Sequence, residues 1–238
     1  MDKKLKLLEE AKKQNITLTS GQAEQLIQYY EMLIEKNKVM NLTAITDFDE
    51  VITKHFIDSL SIIRIFNLNQ ALKVIDVGTG AGFPGIPLKI AFPNLDITLM
   101  DSLNKRVNFL NEVISELEMS GIEAIHGRAE DLGRSSFHRE SYDLCVSRAV
   151  ANLSTLAEYC LPFVKVKGTF VSYKGINLGE ELEAAQKPVK TLGGKIKEFN
   201  EFSLNEMMGR SLIVIEKIGK TPDKYPRTAG KPAKEPLI

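Results

Sequence analysis

The sequence predicts an α/β fold: a doubly wound, mostly parallel sheet with an antiparallel strand at its C-terminal end and a helical extension at its N-terminus. Three observations carry this. From residue 72 onward, short apolar runs alternate with helical patterns, as the βα units of a parallel sheet do. The first of these strands runs into a glycine-rich turn and then a helix, which sets a ligand site at the strand ends. Near the end, two strand-like runs follow one another with no long helix between them, so they read as an antiparallel pair closing the sheet.

The elements follow in order. Thr19 and Gln22 form a capping-box pattern, and Leu26, Ile27, Tyr30, Leu33 and Ile34 keep a helical period after it. Asp47 and Glu50 offer a second capping pair ahead of an apolar helical face that includes His55. Strands are predicted at Leu72–Val77, Asp96–Asp101, Ile122–Gly127, Tyr142–Ala149 and Gly168–Lys174. Helices are predicted between them at Pro84–Ala91, Asn104–Glu118, Asn152–Val164 and Leu178–Leu192. The closing pair is Lys195–Leu204 with Ser211–Ile218, and the polar stretch Gly133–Ser141 reads as a mobile loop. Three regions result: a helical extension over 1–70, a ligand-binding core over 71–218 and a basic, proline-broken tail over 219–238.

Composition narrows the class. Of 238 residues 43% are hydrophobic and 26% charged, values of an ordinary globular chain that exclude a disordered, collagen-like or disulfide-built protein. The longest apolar runs, around Leu60 and Leu161, fall far short of the ~18 residues of a membrane span. The charged N-terminus lacks the apolar core of a secretory signal. Two cysteines, Cys145 and Cys160, sit among apolar neighbours without metal-ligand spacing, so no metal and a reducing, cytoplasmic setting are expected. The 31 basic and 31 acidic residues cancel, which argues against a body that grips nucleic acid everywhere. From Lys217 onward, however, six basic residues face only Asp223 and Glu235.

The most informative stretch is Val74 to Gly85. Gly80, Gly82 and Gly85 spell G-x-G-x-x-G, a weak dinucleotide signal when alone. Three features favour S-adenosylmethionine over a dinucleotide. Asp76, at the strand end, is expected to aim a carboxylate into the cleft, repelling a diphosphate and attracting a sulfonium. Pro84 and Pro87 remove N–H donors from the start of the next helix. The sheet also ends in an antiparallel pair where a second mononucleotide-binding half would continue. Asp101 ends the second strand and suits ribose hydroxyls, a role common to both ligands. Arg128-Ala129-Glu130 follows the third strand, where the adenine would pass. Taken singly, each acid is by default a surface charge or a helix cap; at successive strand ends, together, they favour a nucleoside.

With these residues assembled, the chain resembles the class I S-adenosylmethionine-dependent methyltransferases, and within them the glucose-inhibited division protein B family, which methylates guanine N7 in small-subunit (16S) ribosomal RNA. The resemblance covers most of the chain. It rests on Met40-Asn41-Leu42-Thr43, Lys54-His55-Phe56-Ile57-Asp58-Ser59, Asp76 to Pro87, Asp101-Ser102 with Lys105-Arg106, Arg128-Ala129-Glu130, Ser147-Arg148-Ala149-Val150 and Lys224-Tyr225-Pro226-Arg227. The resemblance implies that Gly78, Gly80 and Phe83 line the cofactor, with the phenyl face covering part of it. It implies Asp101 on the ribose, Ala129 and Glu130 beside the adenine, and Arg148 where methyl donor and target base meet. Lys224 and Arg227 would reach RNA phosphates along an extended arm, and His55 would pack against the catalytic face without acting as a base. Arg148 could equally serve as a structural ion-pair partner.

The acceptor chemistry agrees. Adenine N6 transfer uses a polar-Pro-Pro-aromatic loop, and Ser147-Arg148-Ala149-Val150 stands there. Cytosine C5 transfer needs an exposed thiolate, whereas Cys145 and Cys160 read as buried. Guanine N7 already carries a free in-plane lone pair, so alignment in a dry site suffices. The implied partner is 16S ribosomal RNA or a small-subunit assembly, and the implied state a monomer. Two other readings stay open: a module that senses S-adenosylmethionine or binds RNA without turnover, and a methyltransferase for proteins or small molecules.

Overall fold

The computed structural model describes residues 2–149, 151–206 and 208–238. Seven strands form one sheet: β1 Lys73–Val77, β2 Asp96–Asp101, β3 Ile122–His126, β4 Tyr142–Ser147, β5 Val164–Lys174, β6 Gly194–Asn205 and β7 Met208–Lys217. Their order is β3-β2-β1-β4-β5-β7-β6. The first five run parallel, and β7 is antiparallel to both β5 and β6. Order reverses at β1, where one crossover turns left to β2 and the other right to β4. That switch point opens a crevice beyond the strand C-termini.

The closing pair is therefore not a simple hairpin added outward. The chain skips a position, lays β6 at the edge and returns with β7 between β5 and β6. Burial explains the choice. Leu212, Ile213, Val214 and Ile215 of β7 are all buried and need cover on both faces. Strand β6 alternates charged and apolar side chains, which suits an exposed edge.

The helices are α1 Lys3–Lys13, α2 Ser20–Met40, α3 Phe48–Val51, α4 Asp58–Leu60, α5 Gly85–Ala91, α6 Asn104–Glu116, α7 Ala129–Leu132, α8 Leu153–Cys160, α9 Gly179–Thr191 and α10 Lys231–Lys234. A π-helical turn, Ile52–Ile57, joins α3 to α4. Both expected caps form. Thr19 Oγ1 accepts from Gln22 N at 3.2 Å, while Gln22 Oε1 accepts from Thr19 N at 2.8 Å. Asp47 Oδ1 accepts from the N–H groups of Asp49 and Glu50. Gln22 also donates to the carbonyls of Ile90 and Ala91, tying α2 to the end of α5.

Two apolar layers sandwich the sheet. On one face Leu7, Tyr29 and Phe56 of the N-terminal helices join Val74, Leu144 and Val146 in a single cluster. On the other, Ile75 and Cys145 pack with Leu156 and Val189 from α8 and α9. Alternate residues of β1 and β4 thus serve opposite faces, as strand pleating requires. No helix among the described residues is long and apolar enough to cross a membrane. The stretch Gly133–Ser141 is anchored, contrary to its expected mobility: Arg139 Nη1 donates to Gly133 O and Tyr225 O, and Nη2 to Thr221 O.

Candidate functional site

A cavity of about 740 Å³ opens at the C-terminal ends of β1 to β4. Gly78, Gly80, Phe83, Asp101, Ala129, Glu130 and Arg148 all line it. At Gly80 the backbone is left-handed (φ +64°), a conformation cheap only for glycine, and its N–H donates to Asp101 Oδ2 at 3.0 Å. Asp101 is held further by Leu103 N on Oδ1 at 2.9 Å and by Arg106 Nη1 on Oδ2 at 3.2 Å. Ala129 and Glu130 open α7 at the end of β3, and Glu130 Oε1 accepts from Gly230 N at 2.7 Å.

Asp76 does not point into this cleft. Its side chain is fully buried beneath the glycine loop, where Oδ2 accepts from Thr79 Oγ1 at 2.7 Å and from Gly85 N at 2.8 Å. Burial pushes its pKa up to about 7, so it is no fixed anion awaiting a sulfonium. The N–H groups of the loop are the feature that weighs against a diphosphate. The N–H groups of Gly78 and Thr79 donate to Met100 O, that of Gly80 to Asp101, those of Gly82 and Phe83 to Thr79 O, and those of Gly85 and Ile86 to Asp76 and Gly82 O. A phosphate site at a helix start needs such donors turned outward, and here they are spent within the protein. Cavity size, loop and an anchored acid at the end of β2 fit a phosphate-free nucleoside.

His55 sits on the π-helical turn, stacked on Phe83 with ring centroids 4.5 Å apart. Its Nδ1 lies 3.2 Å from Arg148 Nη2, and its Nε2 lies 2.9 Å from Thr43 Oγ1. Arginine can only donate, so Nδ1 is the acceptor and Nε2 carries the proton toward Thr43. Burial, reinforced by the Arg148 charge, lowers the imidazole pKa to about 3. The ring is neutral and both nitrogens are engaged.

Arg148 realises its ion-pair alternative. Nη1 donates to Asp58 Oδ2 at 3.0 Å and to Lys54 O at 3.1 Å, while the guanidinium lies 5.0 Å from the Phe83 ring centroid. Phe83 thus contacts His55 and Arg148 with its ring while lining the first cavity, as does Arg148 itself. Asp58, buried, is also bonded through Oδ1 to Arg210 Nε of β7 at 3.1 Å. Val150, which closes the Ser147-Arg148-Ala149-Val150 motif, lies outside the described residues.

The C-terminal segment is docked, not extended. Arg227 Nε and Nη2 fork onto Glu158, at 2.9 Å to Oε1 and 2.7 Å to Oε2, so these two donors of the guanidinium are spent within the protein. Glu158 is fully buried on α8, and a buried carboxylate requires such pairing. Lys217 is likewise fully buried and donates to Leu161 O, Val164 O and Thr221 Oγ1. Lys224 remains exposed beside the Tyr225 ring.

A second cavity of about 740 Å³ adjoins the first, sharing His55, Arg148 and Ala149. Asp58, Asn152, Lys174, Glu181 and Arg210 are among its lining. Sequence reasoning passed over Asp58, Thr43 and Arg210 as functional residues. The first two lie inside motifs already singled out, so position could have flagged them. Arg210 reaches the site across 152 residues and carries no local signal. Tyr29, whose hydroxyl donates to Ala81 O at 2.6 Å, looks from sequence like any core aromatic. Among the described residues no cluster of three or more His, Cys, Asp or Glu side chains is placed to hold a metal ion.

The fold and its crevice define the chain's class: its architecture is that of the S-adenosylmethionine-dependent methyltransferases. It is similar to the crystal structure of a SAM-dependent methyltransferase from Aquifex aeolicus, with a TM-score of 0.53 at 15% identity over 70% of this chain and 92% of that one. It is also similar to M. jannaschii TYW2 in complex with AdoMet, with a TM-score of 0.54 at 16% identity over 68% and 75%. The family described as rRNA small subunit methyltransferase G matches residues 22–212, and the chain belongs to that family. A relative from Lachnoclostridium phytofermentans, Ribosomal RNA small subunit methyltransferase G, is 55% identical over 93% of this chain and 92% of its own length.

Proposed function

We propose that the protein transfers a methyl group from S-adenosylmethionine to N7 of a guanosine in small-subunit (16S) ribosomal RNA, acting as a cytoplasmic monomer. Membership of the rRNA small subunit methyltransferase G family supports the substrate class. In this reading residues 71–218 form the donor-binding core, 1–70 its helical cover and 219–238 a basic tail. When bound, S-adenosylmethionine supplies an electrophilic methyl group on a sulfonium.

Gly78, Gly80, Phe83, Asp101, Ala129, Glu130 and Arg148 hold the donor in the first cavity, and the second, which shares Arg148, receives the base. The observation that carries the N7 assignment is that, among the described residues, the imidazole and the carboxylates lining the second cavity each already accept from a protein donor. His55 Nδ1 accepts from Arg148, and Asp58 is paired with Arg148 and Arg210. Glu181 accepts from Lys174 Nζ and Leu153 N, each at 2.6 Å. An amino or hydroxyl acceptor must lose a proton to such a group; N7 loses none, so these residues need only align the base and exclude water. Mass mapping of methylated nucleosides in small-subunit RNA, with and without the protein, tests this. Unchanged 7-methylguanosine, or S-adenosylhomocysteine release with protein or metabolite acceptors alone, would refute it.

A further inference from the structure

The tail that reads from sequence as an RNA arm has a different position in the fold. Gly230 and Ala233 line the first cavity, on the side where Ala129 and Glu130 open α7. Two carboxylates bring the segment there. Glu158, fully buried on α8, accepts from Arg227 N at 2.8 Å as well as from the guanidinium fork. Glu130 accepts from Gly230 N at 2.7 Å. Arg227 Nη2 also donates to Glu235 O at 2.7 Å, gathering the segment on both sides of α10, and Thr155 Oγ1 donates to Pro232 O at 3.2 Å. The same segment is secured upstream by Arg139 on Thr221 O and Tyr225 O.

We propose that residues 225–235 form a wall of the donor cavity, and that Arg227, acting through Glu158, is the positioning residue that sets affinity for the adenosine-bearing ligand. This rests on reading that cavity as the S-adenosylmethionine site. Glu130, expected to border the adenine, also holds the wall in place by accepting from Gly230 N through Oε1. The fork is specific to arginine: a lysine keeps the charge but supplies one point donor where two parallel bonds are needed.

Calorimetric titration of the full-length protein with S-adenosylmethionine and with S-adenosylhomocysteine tests the wall directly. Arg227→Gln should weaken both ligands about tenfold or more, the loss expected on removing a charge-assisted pair. Arg227→Lys should fall between. The KM for S-adenosylmethionine should rise while kcat changes little, and the salt slope of RNA binding should stay as in the wild type. Ala233→Trp alters the wall at an exposed position and should change donor affinity without lowering the melting midpoint of the ligand-free protein; it decides the matter if Arg227→Gln fails to fold. Unchanged donor affinity in Ala233→Trp, or a flattened salt slope with unchanged donor affinity in Arg227→Gln, would overturn the wall alone. A wild-type chain that binds neither ligand would overturn the parent reading and this one with it.

Discussion

Two buried groups beneath and beside the glycine loop titrate in opposite directions. His55 drops from 6.5 to about 3 on folding. Between those values the unfolded chain holds the extra proton, so stability is full above pH 6.5 and falls as pH is lowered toward 3. Asp76 rises from 3.8 to about 7. Between those values the folded chain holds the extra proton, so this contribution is full below pH 3.8 and is lost as pH rises through 7. The slopes oppose each other over the shared window. His55→Gln should therefore leave stability falling as pH rises from 4 to 6.5, and Asp76→Asn should leave it rising, each by up to about 1.4 kcal/mol per pH unit in urea melts. A flat profile for both variants would contradict the burial of these groups. Arg148→Ala should not leave the fold untouched, because Asp58, 3% exposed, would keep only Arg210. A loss of about 3 kcal/mol is expected for breaking such a pair. Pairing it with Asp58→Asn should recover stability without transfer, as thermal melts and activity assays would report.

At the scale of elements, the β1–α5 turn depends on close approach. A Cβ on Gly85 would collide with the Leu99 side chain and with Asp76 Oδ2, and Gly85 N is itself the donor to that oxygen. Gly85→Ala should cost about 1–3 kcal/mol, the usual penalty of overpacking, and weaken donor binding by shifting the loop. Wild-type melting together with wild-type affinity would contradict this geometry. The π-helical turn works similarly: it sets His55 against Phe83 while turning the Lys54 and His55 carbonyls to Arg148. Local pattern located this helix, its cap and its apolar face. It held no trace of the π turn, because six residues with helical dihedrals look alike until a partner outside the helix engages their carbonyls.

Across the whole molecule, the N-terminal helices share one apolar cluster with the sheet. Far-ultraviolet circular dichroism and tyrosine fluorescence should therefore report coincident unfolding transitions; separated transitions would show that 1–70 folds apart. RNA contact should depend on cations left outward. Lys224→Ala should reduce the log–log salt slope of RNA binding by about 0.7–0.9. Arg227, committed to Glu158, should contribute nothing to that slope, a contrast that filter binding at several salt concentrations can measure.

Near-neighbour patterning sufficed for the alternation of strands and helices, the capping residues Thr19 and Asp47, and the glycine loop with Asp101 at the next strand end. Each depends on residues a few positions apart, or on the regular spacing of one βα unit. The insertion of β7 beside β5, the Arg148–Asp58–Arg210 network, the retreat of Asp76 beneath its loop and the return of the tail to the first cavity all lay beyond such patterning. They were decided by burial. A carboxylate or guanidinium removed from water takes whichever partner packing brings within reach, and that partner can lie 90 or 152 residues away.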